Sequence, residues 1–226
     1  MRIELPSGTP AEIVRPSGEH SSIGLVIAPD IFGLRALYDD MVRRLADEWQ
    51  MTVCAVEPFP GLDLPPDIEP RFAKVSSIDD DNHLRDLHEA AAATGCNTVN
   101  LLGYCLGGMY CHKASRSDRF QRIVSFYGMI RVPDAWRSAT QGEPLSYLAH
   151  GHADRVLAIV GGRDHYTPET DVEALQATGV NVVRYAEAEH GFAHDVSRPA
   201  HRVDDAADAY RRAKAWLESR PAGLSL

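Results

Sequence analysis

The sequence predicts an α/β fold, a three-layer α/β/α sandwich around a mostly parallel, twisted sheet. Three observations predict it. Apolar runs such as Ile23–Ala28 (Ile-Gly-Leu-Val-Ile-Ala) lack the polar alternation of a half-exposed strand and read as strands buried on both faces. Segments with helical spacing follow such runs: Leu37, Met41, Leu45 and Trp49 recur at every fourth residue. A glycine-bracketed turn, Gly103-Tyr104-Cys105-Leu106-Gly107-Gly108, joins the apolar residues Val99, Leu101 and Leu102 to a helix-like segment at Met109–Ser115. Strands alternating with helices demand parallel pairing and right-handed crossovers. Ligand sites in such sheets lie outside the carboxyl ends of the strands.

The elements follow in order. Arg2–Leu5 and Glu12–Arg15, separated by Ser7-Gly8, predict an edge hairpin, and Met51–Val56 a strand after the first helix. Glu57 to Pro70 carries five prolines and predicts a loop, since proline removes the donors that regular structure needs. A helix is expected over Ile78–Ala93, then strands at Thr98–Gly103 and Ile123–Phe126. Arg131–Ala153 reads as irregular, with short helices near Trp136 and Tyr147. Val156–Val160 and Asn181–Tyr185 are strands on either side of a helix at Thr170–Ala177. Val203–Glu218 closes the chain as an amphipathic helix with Val203, Ala207, Tyr210 and Leu217 expected on its inner side.

With 226 residues, 44% of them hydrophobic, the chain can bury one sizeable core, and a single domain over residues 1–226 is expected. A net charge of −9 argues against nucleic acid or an anionic membrane surface as partner. There is no basic-then-apolar start and no run of 18 apolar residues, so neither a signal peptide nor a membrane helix is expected. Of four cysteines (54, 96, 105 and 111) no pair has CxxC spacing. Cys111 lies about 240° around a helix from Cys105, so the two face apart. A reduced, cytoplasmic protein, a monomer or small homo-oligomer, is the simplest expectation.

A Gly-x-nucleophile-x-Gly turn between strand and helix is a nucleophile elbow. It exposes its central side chain at a helix N-terminus, where free N–H groups and the helix dipole favour a thiolate. The N–H of Leu106 points to where an oxyanion would form. The alternative is a tight turn around a buried, inert cysteine. Two further groups bear on that choice. Asp164, in Gly161-Gly162-Arg163-Asp164-His165, follows the strand Val156–Val160, and His190 follows the strand Asn181–Tyr185. Separately, Asp164 reads as a helix cap and His190 as a solvated loop residue. Together they supply nucleophile, acid and histidine at three strand ends in the chain order such enzymes use. Among ten histidines, His150, His152, His165, His190 and His194 could be gathered on a metal. Gly191 weakens the helix that a His190–His194 pair would need, so no metal is expected.

These residues resemble the dienelactone hydrolase family of the α/β-hydrolase fold, without a large cap domain. The likeness runs from about Ile23 to Trp216 through Ala28-Pro29-Asp30-Ile31-Phe32-Gly33, the Cys105 elbow, Phe126-Tyr127-Gly128, Gly162-Arg163-Asp164-His165 and His190-Gly191-Phe192. The resemblance implies cofactor-free hydrolysis of a lactone or small activated ester through a thioester. It assigns Cys105 as nucleophile, His190 as base and Asp164 as its orienting acid. It also implies an oxyanion hole from the Ile31 and Leu106 amides, and substrate contacts from Phe32 and Tyr127. Two departures bear on control and substrate. The family places a glutamate before Ile-Phe-Gly, where it pairs with the resting cysteine; here Asp30 is one methylene shorter, or simply bonds its own loop backbone. The family holds the substrate carboxylate with two arginines. One position is His194 here, a weaker partner without the bidentate fork. The other corresponds to Arg71, which otherwise reads as a solvated charge at a helix start. Competing readings are a thiol redox sensor and a binding module with a relic triad.

Overall fold

The computed structural model describes residues 1–17 and 22–219. Eight strands form one sheet: β1 (Arg2–Glu4), β2 (Pro10–Val14), β3 (Ile23–Ala28), β4 (Thr52–Val56), β5 (Thr98–Tyr104), β6 (Ile123–Phe126), β7 (Val156–Gly161) and β8 (Asn181–Tyr185). Their spatial order is β1-β2-β4-β3-β5-β6-β7-β8. The first hairpin and the β2–β4 pairing are antiparallel, and all later pairings are parallel. β3 and β5 are central, and the sequence reads accordingly: Leu25 and Ile27 enter the core on one face, Val26 and Ala28 on the other.

Helices cover both faces. α1 (Ala36–Trp49) and α7 (Val203–Glu218) pack on one; α3 (Asp80–Ala93), α4 (Leu106–Ala114) and α6 (Glu169–Ala177) pack on the other. α1 buries Met41, Leu45 and Trp49, the stripe its spacing predicts. The inner face of α7 differs from expectation. Ala206, Ala209, Ala213 and Leu217 are buried, whereas Val203 is 71% exposed and Ala207 is exposed. Three alanines let the helix lie close to the sheet, a preference for small side chains that hydrophobicity alone does not register.

Two further elements lie above the strand ends. α2 (Ile68–Lys74) begins inside the proline-rich segment, because Pro70 sits in its first turn, where no intrahelical donor is needed. α5 (Pro144–Ala149) and a single 3-10 turn at Asp134–Trp136 are the short helices expected near Tyr147 and Trp136. α3 starts two residues later than its apolar pattern suggests. Asp79 caps it by accepting the Asn82 N–H at 3.0 Å. Among the described residues no helix is long and apolar enough to cross a membrane.

Candidate active site

β5 ends at Tyr104, and Cys105 follows with φ 55° and ψ −114°. Such a backbone costs a non-glycine residue of order 1–3 kcal/mol and needs a rigid surround. Backbone bonds supply it. Cys105 N–H donates to Phe126 O at 3.0 Å, Gly107 N–H to Pro29 O at 3.1 Å, and Met109 N–H to Cys105 O at 3.0 Å. Gly107 is required by the close approach: a Cβ there would lie 2.0 Å from the Ala28 carbonyl oxygen. The thiol is half-buried at the N-terminus of α4. The other three cysteines are buried.

Asp164 and His190 come from the loops after β7 and β8. Those loops are tied together by Gly162 N–H to Tyr185 O (2.7 Å) and Arg163 N–H to Ala188 O (2.9 Å). Asp164 Oδ2 meets His190 Nδ1 at 2.8 Å, and its Oδ1 accepts the Tyr166 N–H at 2.9 Å. Asp164 is buried, so its two oxygens are fixed rather than solvated. Burial opposes a charge on His190. The Cys105 sulfur and the Asp164 carboxylate outweigh it and hold His190 up at about 10. His190 Nε2 makes no hydrogen bond. That edge of the ring is left for Cys105 and whatever binds beside it.

The loop after β3 faces this pair. Its amides are accounted for one by one. Phe32 N–H donates to Asp30 Oδ1 (3.0 Å), Gly33 N–H to Asp30 O (3.0 Å) and Leu34 N–H to Glu57 Oε2 (2.8 Å). Among the described residues, neither the Ile31 N–H nor the Leu106 N–H has an acceptor. Ile31, Cys105 and His190 line one small cavity, of about 60 Å³, with Asp30, Phe32, Phe72, Trp136, Tyr166 and Arg198.

Asp30 and Phe32 line that cavity. Tyr127, His194 and Arg71 do not line that cavity. Tyr127 is fully buried with φ 40°. Its hydroxyl meets His194 Nδ1 at 2.5 Å, while His194 Nε2 meets Asp30 Oδ2 at 2.7 Å. With both ring nitrogens engaged, His194 has no donor left for a substrate carboxylate. The Arg71 guanidinium donates to the carbonyls of Pro65, Phe32 and Leu64 at 2.7–2.9 Å. It ties α2 to the loop after β3. Asp30 bonds Arg35 in a fork at 2.7 and 3.0 Å, rather than the resting thiol.

Arg198 is the side chain that sequence reasoning missed. It is the one Lys or Arg in the stretch His190–Ala200, which is the only signal that marks it. Gly191 makes room for it. With φ 79° the chain turns away after His190, and a Cβ there would meet Arg198 Nη1 at 2.8 Å. Among the described residues the guanidinium has no hydrogen-bond or ion-pair partner. It also borders a second, open pocket shared with Arg35 and Arg71. No three His, Cys, Asp or Glu side chains among the described residues gather as a metal site.

An elbow, an acid and a histidine after β5, β7 and β8, on a mixed, mostly parallel eight-stranded sheet, define an α/β-hydrolase without a large cap. Residues 10–220 match the model of the dienelactone hydrolase family, and the chain belongs to that family. It is 27% identical over 213 residues to the carboxymethylenebutenolidase of Pseudomonas putida, covering 84% of this chain and 80% of that one. A Bradyrhizobium protein provisionally named as a 2-oxo-3-(5-oxofuran-2-ylidene)propanoate lactonase is 25% identical over 228 residues, covering 92% and 88%. A crystal structure from Klebsiella pneumoniae, provisionally named a dienelactone hydrolase, matches with a TM-score of 0.84 at 25% identity, covering 96% of this chain and 97% of that one. The protein is a dienelactone hydrolase-like hydrolase.

Proposed function

We propose that the protein hydrolyses lactones or small activated esters through a thioester on Cys105, with His190 and Asp164 completing the triad. One observation carries the reading. The two amides without acceptors, those of Ile31 and Leu106, border the same thiol that faces the His190–Asp164 pair. An oxyanion hole needs such donors waiting, and losing one typically costs roughly 3 kcal/mol of transition-state stabilisation.

The sulfur attacks the ester carbonyl while the resting proton sits on His190. The S–C bond forms and the carbonyl oxygen takes the electron pair between the two amides. Collapse breaks the C–O bond, and His190 gives its proton to the leaving oxygen. Neutral His190, its Nδ1–H held by Asp164, then takes a proton from water. The water oxygen adds to the thioester carbon, and the sulfur leaves as thiolate. A thiolate leaves as easily as it attacks, so enol lactones and aryl esters, whose leaving groups return poorly, suit this site better than alkyl esters or amides. The relatives' names include two different lactone substrates, which fits a shared floor with a variable pocket. Arg198, a cation at the cavity whose guanidinium has no partner among the described residues, favours a substrate with an acidic group.

Mixing the protein with p-nitrophenyl acetate or an enol lactone and taking a mass spectrum tests the reading. An acyl adduct on Cys105 is expected, absent from Cys105→Ala, with turnover down at least about a thousandfold. Turnover that survives Cys105→Ala overturns it.

A further inference from the structure

Asp30 stands one residue before the oxyanion amide of Ile31 and borders the cavity that holds Cys105, yet all its bonds run elsewhere. Oδ1 accepts from Arg35 Nη1 (2.7 Å) and from the Phe32 N–H (3.0 Å). Oδ2 accepts from Arg35 Nη2 (3.0 Å) and meets His194 Nε2 (2.7 Å). A carboxylate has about four acceptor positions, and all are filled. The Asp30 N–H itself donates to Tyr38 Oη at 2.8 Å. Burial would raise the Asp30 pKa; His194 and then Arg35 overcome it and hold the carboxyl well below the usual range. To reach the sulfur, Asp30 would have to leave Arg35 and His194 while 2% exposed.

His194 is the hub of this arrangement. Its ring is fully buried and stacks on Tyr104 at 4.8 Å and 20°. Beyond it, Tyr127 presents its ring edge-on to His190 at 5.3 Å. His194 thus joins the loop that carries the oxyanion amide to the residue that backs the base. We propose that Arg35, Asp30 and His194 form a fixed brace that sets the Ile31 amide and keeps Asp30 off Cys105, so that the sulfur is ready to attack before substrate arrives. His194 is a positioning residue in this account. The ionisable groups around the Cys105–His190 pair fit it. Asp164 and Tyr166 come from the loop after β7, Tyr127 from that after β6, Arg198 from that after β8, and Asp30, already neutralised by Arg35, from that after β3.

The inference rests on Cys105 as nucleophile, but its test reads alkylation, not turnover. Iodoacetamide is added to the substrate-free protein at pH 6.5, and modification of Cys105 is followed by mass spectrometry. A sulfur held beside His190 and clear of Asp30 should react at least about tenfold faster than N-acetylcysteine in the same buffer. His194→Phe removes one of the two bonds to Asp30 Oδ2 and leaves Arg35 alone to hold the carboxylate off the thiol. It should slow alkylation about tenfold and lower kcat on p-nitrophenyl acetate more than it changes KM. His194→Gln, which keeps a donor, should retain most of the rate, and Asp30→Asn added to His194→Phe should restore alkylation. Wild-type alkylation no faster than N-acetylcysteine overturns the proposal, as does a His194→Phe variant with unchanged alkylation and kcat. If His194→Phe does not fold, Arg35→Gln, which removes the other partner of Asp30, takes its place with the same slowing expected, and unchanged alkylation and kcat overturn the proposal. Fast, brace-dependent alkylation without hydrolysis of any ester would leave the brace standing and sink the proposed function.

Discussion

The floor and the roof of the cavity are built by opposite means. The floor is the set of strand ends: the elbow, the Asp164–His190 pair, and the loop after β3. Its groups are held by backbone amides and buried charge-assisted bonds of 2.7–3.0 Å. The roof is α2 and the segment from Met129 to Ala149. α2 buries no residue fully, Ile68 is 40% exposed, and the roof's two parts meet where Phe72 packs against Trp136, ring centroids 5.1 Å apart, with Arg71 a polar tie from α2 to the floor. Hydrogen bonds fix a group to within tenths of an ångström, which chemistry needs. Apolar contacts are non-directional and slide at little cost, which accommodation of different substrates needs. The resting cavity, about 60 Å³, is well below the roughly 300–1,000 Å³ of ordinary ligand sites. It adjoins the larger open pocket beside Arg35 and Arg71 through Phe32 and Arg198.

The roof is nonetheless pinned at the back. Lys113, on the elbow helix, is fully buried and bonds both Asp80 oxygens at 2.7 and 2.9 Å. Asp80 Oδ2 also accepts from the Gly142 N–H (2.8 Å) and from Tyr147 Oη (3.1 Å), both in the roof. Lys113→Met leaves the carboxylate buried with its cation gone, and a loss of about 3–5 kcal/mol is expected by urea unfolding. Asp80→Asn in the same chain should recover part of it. If floor and roof are independent, KM for p-nitrophenyl acetate rises several-fold and kcat stays within about twofold. A kcat that falls with stability would break the distinction.

The floor makes its own prediction through pH. Folded His190 is held at about 10 against 6.5 for the free side chain, so the folded state binds its proton more tightly than the unfolded chain does. The stabilisation is full below pH 6.5 and is lost as pH rises through about 10. Its size is of order 2–4 kcal/mol. Unfolding free energies at pH 6 and pH 10 measure it. The wild type should lose more over that interval than Cys105→Ala, in which the strongest influence raising His190 is gone. Equal losses would mean that the sulfur and imidazole do not share charge in the resting protein.

The floor was largely legible in the sequence, and the reason is geometric. Cys105, Asp164 and His190 each follow a strand directly, so locating the strands locates the groups. The brace was not legible. His194 lies four residues past His190 and reads as a second ligand in the same cavity. The positive φ of Gly191 turns the chain so that His194 passes beneath the site instead. Arg71 reads as a helix-start charge, but its guanidinium is drawn to carbonyls that proline-rich backbone leaves without partners. Whether a side chain lines a cavity or supports it depends on contacts across the fold, and periodicity carries no record of those.

Arg198 sits at the boundary of floor and roof, and tests where specificity resides. It is half-buried and borders the cavity through the room that Gly191 leaves. A guanidinium bonding a carboxylate is worth about 1.5–3 kcal/mol when desolvated, and less here because solvent reaches the group. Arg198→Gln should therefore raise KM about tenfold for p-nitrophenyl hydrogen adipate, and far less for p-nitrophenyl hexanoate, its uncharged counterpart of similar length. Added salt should narrow the difference between the two esters in the wild type and leave the variant nearly unchanged, since the attraction being screened is absent there. Equal losses on both esters would make Arg198 a support of the base loop rather than a reader of charge. The cation would then belong with the floor.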